Sequence, residues 1–226
     1  MIMVVTYARS IITSIRRRLI NQNSNMPKYF LDTEFIEGFD KPLFGKKRHF
    51  IDLISIGIYC EDGRTFHALS SEYDYNKADV WVQKNVIQQA FNSRVHGDAR
   101  NYLRPSNFHK SMGIPLHLIK KRLMHFFNCY EDQLFIRTKE EDVQIFGYFA
   151  DYDWVLFCSL FGRMINLPKG FPMYCMDLKQ MMTERGLTKE WKQHNCPDPE
   201  KEHDALEDAI WNYKLYNTIL ASNHIL

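Results

Sequence analysis

The segment Ile51 to Cys60, Ile-Asp-Leu-Ile-Ser-Ile-Gly-Ile-Tyr-Cys, limits the possible folds more than any other part of the chain. It is rich in β-branched and aromatic residues and is closed by the turn Glu61-Asp62-Gly63, so it reads as a buried strand. Its neighbours supply partners. Lys28 to Phe35 reads as a first strand, and Arg64 to Leu69 as a third that returns antiparallel through a hairpin with positive φ at Gly63. Between the first two strands, Gly38 to Phe50 holds Gly, Pro and several cations and is expected to be a mobile loop. Helical spacing follows at Ala78 to Phe91 and at Ile114 to Tyr130, where Leu116, Ile119, Leu123 and Phe126-Phe127 form an apolar stripe behind Pro115. A strand at Val143 to Phe149, a helix at Asp153 to Met164, a short strand at Met173 to Met176 and a helix at Leu178 to Arg185 come next. The last helix is expected from Ala205 to Ala221, with Asp204 as N-cap and Glu207 completing a capping box. This order predicts an α/β fold, a mixed β-sheet of three antiparallel strands plus parallel strands flanked by helices.

The length of 226 residues suits one domain with a sizeable core. With 45% hydrophobic and 25% charged residues the chain is neither disordered nor a membrane protein by composition, and no apolar run approaches the ~20 residues that span a bilayer. The net charge of +2 carries no global field for a polyanion, so any nucleic-acid contact has to be local. The basic clusters Arg16 to Arg18, Lys46-Lys47-Arg48 and Lys120-Lys121-Arg122 each read singly as a solvated face. Cys60, Cys129, Cys158, Cys175 and Cys196 form no C-x-x-C pair, which points to a reducing, cytoplasmic setting. The polar linker Asn21 to Pro27 separates residues 1–26, expected to be a poorly ordered N-terminal extension, from a folded domain over 27–226.

Four carboxylates and a histidine stand out against this frame. Asp32 and Glu34 lie two apart on an apolar strand, so the pleat turns both to one face. Burying such a pair unpartnered costs several kcal/mol, roughly, so either a cation offsets it or the strand lies at an edge in water. Asp153 sits at the head of a helix, where it is a metal ligand or a plain N-cap with Asp151 as competitor. His203 and Asp208 bracket the start of the last helix. Within one helix their offset would set them about 140° apart, but His203 precedes the cap and the two can converge. Their plainer roles are a surface histidine and an acid that complements the helix dipole. Together the five fit a two-metal centre with an imidazole base for phosphodiester cleavage.

The strings Phe30-Leu31-Asp32-Thr33-Glu34-Phe35, Tyr152-Asp153 and His203-Asp204-Ala205-Leu206-Glu207-Asp208-Ala209 resemble the three motifs of the DEDD exonucleases, histidine subclass. The resemblance runs from about Lys28 to Tyr216. With Leu53-Ile54-Ser55-Ile56-Gly57 and Leu160-Phe161-Gly162 added, the chain is most similar to the ribonuclease AS-like exoribonucleases. The resemblance implies a ribonuclease H-like fold and 3′-to-5′ hydrolysis of single-stranded RNA, with a preference for adenylate-containing RNA and release of nucleoside 5′-monophosphates. It implies metal ligation by Asp32, Glu34, Asp153 and Asp208, two Mg²⁺ or Mn²⁺ ions, and His203 as base, with Phe35 and Ile36 near the terminal nucleobase. A homodimer is implied by the same analogy. The arm 1–26 and the basic insertion Lys41 to Arg48 depart from the pattern. A DNA exonuclease shares the same centre and is separated by degrading matched RNA and DNA. A silent nucleic-acid-binding module would bind without metal-dependent product release, and a phosphodiesterase of dinucleotides would turn those over in preference to longer chains.

Overall fold

The computed structural model describes residues 26–40, 44–127, 129–130, 133–134, 143–200 and 202–222. The N-terminal extension and its arginine triplet, the start of the basic insertion at 41–43 and the side chain of Cys129 lie outside the described residues.

The apolar run Tyr29-Phe30-Leu31, buried on both faces, opens β1 (Lys28–Asp40), which pairs antiparallel with β2 (Arg48–Cys60) from Tyr29 to Asp40. Both ends of the expected mobile loop at 38–50 are therefore strand, Gly38 to Asp40 in β1 and Arg48 to Phe50 in β2. Gly38 and the cations suggest a loop, but cross-strand contacts carry the ladder past them: Phe39 meets the ring of His49 edge-on at 5.5 Å, and Lys77 reaches both Asp40 at 2.8 Å and the face of Phe50 at 4.4 Å. β2 returns through the Gly63 turn, at φ 92°, to β3 (Thr65–Leu69). On the other edge β4 (Gln144–Gly147) lies parallel to β1, and β5 (Met176–Asp177) parallel to β4, so the order is β3-β2-β1-β4-β5. The sheet thus has the three antiparallel and two parallel strands expected; its last strand falls later than the predicted Met173 to Met176.

Helices cover both faces. Leu31, Ile56 and Ile58 pack against α2 (Leu116–Phe126) and α3 (Asp151–Ser159). On the opposite face Phe30 and Phe146 meet α4 (Leu178–Glu184) and α6 (Ala205–Ala221). A helical run beginning at Val80–Val82 widens into a π turn at Gln83–Ile87 and continues as α1 (Gln88–Arg94), burying Val86, Ile87 and Phe91 against Ile36 and Ile54. The helix expected at 114–130 is shorter, and Cys129–Tyr130 instead pairs with Gln133–Leu134. Between α4 and α6 lies α5 (Lys189–Asn195), capped by Thr188 and not foreseen in the sequence.

The close docking of α6 depends on Gly57, which sits opposite Asp32 in the β1–β2 register. A Cβ there would lie 2.0 Å from the carbonyl oxygen of Ala205, so only glycine lets the first turn of α6 lie on β2. Asn212, four residues after Asp208, then donates to the Leu31 carbonyl at 3.0 Å and fixes the helix to β1.

Candidate active site

β1 turns Asp32 and Glu34 to the α6 side, while the residue between them faces the other way. Thr33 donates both its N–H (2.9 Å) and its hydroxyl (2.5 Å) to one oxygen of Asp153. α3 begins two residues earlier than expected, with Ala150 as its N-cap, so Asp153 is not the cap. It sits inside the first turn, 6% exposed, with its carboxylate aimed at β1. Just after Glu34, β2 carries an extra residue, Ile54, in a bulge between the pairs Glu34–Ser55 and Phe35–Leu53. Bulges commonly re-aim side chains beside functional sites.

At the start of α6, Asp204 accepts from the N–H of Leu206 at 3.1 Å and caps the helix. His203, just ahead of it, has φ 67°, a left-handed backbone that is uncommon for a residue with a side chain. Its own N–H donates to Asp208 at 2.8 Å, which closes the five-residue offset and brings imidazole and carboxylate to one side. Its Nδ1 lies 3.9 Å from Glu34, and its ring stands edge-on to Trp81 at 4.9 Å. The flanking residues are tied as well. Gln89 of α1 donates to the Glu202 carbonyl at 2.6 Å, and Arg94 sits 3.7 Å from Asp204 and 2.6 Å from a ring nitrogen of His67.

One carboxylate oxygen from each of Asp32, Glu34 and Asp208 lies within 4.8 Å of the others. Asp153 lines the same cavity, of about 460 Å³, but stands outside that trio, with one oxygen already holding two donors from Thr33. His203, Phe35, Phe149, Asp198, Glu202 and Asn212 are also on the wall. Ile36 is not: it is 1% exposed and packed in the core beside α1, so of the two residues expected near a nucleobase only Phe35 reaches the cavity.

No arginine or lysine lines this cavity among the described residues. The cation expected to offset Asp32 and Glu34 is therefore not a side chain of the cavity wall. Burial pushes Asp32 well above the usual carboxylate range, and Asp153, Glu34 and Asp208 push it further. Glu34 is raised by burial and then by Asp208 and Asp153. Burial lifts Asp153 to about 6 against the Thr33 hydrogen bonds, and Asp208 to about 7 against the His203 N–H. Hard oxygen donors crowded without a compensating cation suit a divalent ion of the Mg²⁺ or Mn²⁺ kind.

Several of these residues escape sequence reasoning. Asn212 was within reach, since it lies one turn after Asp208 on the same face of α6. Thr33, Trp81, Gln89 and Arg94 carry no local signal, because their partners are remote along the chain.

The profile of the 3′-5′ exoribonuclease Rv2179c-like domain matches residues 28–220. The 3′-5′ exoribonuclease Rv2179c of Mycobacterium tuberculosis strain H37Rv is 29% identical over 205 residues, which cover 87% of this chain and 95% of that protein. The 3′-5′ exoribonuclease MT2234.1 of strain CDC 1551 aligns with the same 29% identity over the same shares. The solved structure of S. pombe Pop2p, in its Mg²⁺ and Mn²⁺ bound form, aligns with 95% of this chain and 90% of that one, at TM-score 0.48 and 13% identity. From β1 into α6, this chain belongs to the Rv2179c-like 3′-5′ exoribonuclease domain family.

Proposed function

We propose that the chain removes nucleotides one at a time from the 3′ end of single-stranded RNA, in a metal-dependent hydrolysis that releases nucleoside 5′-monophosphates. The observation that carries this reading is the trio Asp32, Glu34 and Asp208, with Asp153 and His203 on the same cavity wall and no cationic side chain among them. Asp32, Glu34, Asp153 and Asp208 would hold two divalent cations, Mg²⁺ or Mn²⁺, which stabilise the attacking and leaving oxygens of an in-line displacement and offset the acids' mutual repulsion.

The protein's own groups handle the proton. His203, whose Nδ1 lies 3.9 Å from Glu34, takes it from the attacking water as the new P–O bond forms. The bond from phosphorus to the 3′ oxygen of the preceding nucleotide breaks, and the departing nucleotide keeps its 5′-phosphate. His203 is part exposed and passes the proton on to solvent, and the freed 3′ oxygen of the shortened strand takes up a proton from water to become a hydroxyl. Phe35, stacked on Tyr152 at 5.5 Å, offers an aromatic contact for a nucleobase. The preference for adenylate-containing ends, the homodimer, the cytoplasmic setting and the assignment of 27–226 as the catalytic domain are part of this proposal and rest on the family resemblance and the cysteine pattern. None of the described helices is long and apolar enough to cross a membrane.

The test is a 5′-labelled single-stranded RNA ending in several adenosines, incubated with the protein in Mg²⁺ or in EDTA beside the matching DNA. A ladder shortening from the RNA 3′ end in Mg²⁺ alone is expected. Shortening of neither strand, in Mg²⁺ or Mn²⁺, would overturn the proposal.

A further inference from the structure

Immediately after β4 the backbone turns left-handed at Phe149, with φ 55°. Glycine adopts this conformation freely, whereas a bulky side chain there is a genuine outlier of the kind that collects at functional sites. The ring gains little from folding, since Phe149 is 62% exposed. It nonetheless lines the cavity that holds Asp32, Glu34, Asp153 and Asp208. Its backing is firm: it meets the Tyr148 ring at 4.7 Å, Tyr148 abuts Trp211 edge-on at 5.3 Å, and the Lys192 ammonium lies over both of those rings at 5.4 and 5.0 Å. An apolar ring is thus held open to water, on a strained backbone, at the rim of a strongly acidic site.

A wall of carboxylates without arginine or lysine attracts no phosphate by itself, so affinity for a nucleotide beside it has to come from uncharged contacts as well as from bound cations. Resting on the proposed function and deepening it, we infer that Phe149 is a stacking platform for a nucleobase of the single-stranded RNA, at or next to the 3′-terminal nucleotide. Because every base has a π face, such a contact tolerates any sequence and acts on binding, with little effect on the chemical step. Stacking of this kind corresponds to roughly 5- to 150-fold in affinity per base.

The experiment compares wild type, Phe149→Gly, Phe149→Leu and Phe149→Tyr on a 5′-labelled homopolymer RNA in Mg²⁺, with thermal melting of each protein. Phe149→Gly removes the ring and suits the backbone, so its Tm should match or exceed that of wild type. Phe149→Leu keeps bulk and strain but lacks the π face. Both are expected to raise KM about tenfold with kcat within about twofold, and Phe149→Tyr to keep the wild-type KM. An unchanged KM in the glycine and leucine variants, a loss confined to kcat, or a KM that tyrosine fails to restore would each overturn the inference while leaving the nuclease reading in place. Absence of RNA shortening by the wild type would remove that reading, and this inference with it.

Discussion

Asp32 and His203 carry the sharpest of the proposed roles, and each comes to notice in the sequence because it belongs to a short motif. Asp32→Ala is expected to abolish 3′-end shortening of RNA; a fully active variant would sink the proposed mechanism. His203→Ala should lower kcat by about 10²- to 10⁴-fold and leave RNA binding largely intact, the signature of a lost base. Single-turnover assays with labelled RNA measure both. Asp153 shows what a motif leaves out. Its neighbour Tyr152 flags it, but Thr33, which orients its carboxylate through two hydrogen bonds, sits 120 residues away in sequence. Ile36 shows the opposite error, since its place just after the motif suggests a base contact whereas its side chain is packed in the core beside α1.

Among the elements, the buried strand at Ile51 to Cys60, the hairpin after it and the capped final helix are readable from periodicity and turn chemistry. The length of β1 and β2 is not, because Gly38 and the cations read as loop while Lys77 and the cross-strand pairs that hold the ribbon come from elsewhere. α5 escapes notice because its short sequence has no apolar stripe strong enough to stand out. The seat of α6 on β2 is the least tolerant contact between elements. Gly57→Val would drive a branched side chain into the Ala205 carbonyl, and the helix would have to lift. The expected outcome is a loss of more than about 2 kcal/mol in stability, read from urea denaturation, with RNA hydrolysis lost even well below the midpoint. Wild-type stability and activity in this variant would show that α6 does not need the close approach.

For the molecule as a whole, the mixed sheet is predictable because each strand carries its own signal, while the ties that gather the site cannot be read, since they join α1 to the segment before α6 across about half of the chain. The gathered acids also set a pH dependence. Folding raises Asp153 to about 6 and Asp208 to about 7 from an ordinary 3.8, so between about pH 4 and 7 the unfolded chain gives up these protons while the native state retains them. Stability in EDTA should therefore fall as pH rises through that window. Asp208→Asn should flatten the fall, and Mg²⁺ should raise Tm most at neutral pH, by the equivalent of ~2.7 kcal/mol at a hundred times its Kd. Melting curves across pH for both proteins test this; identical slopes would contradict it. The glycine seat on β2 has a last consequence, for the order in which the protein is made. Asp32 and Glu34 leave the ribosome well before Asp208 and the helix that must settle against Gly57. The acids of the proposed site are therefore gathered only after that helix has been made and has docked.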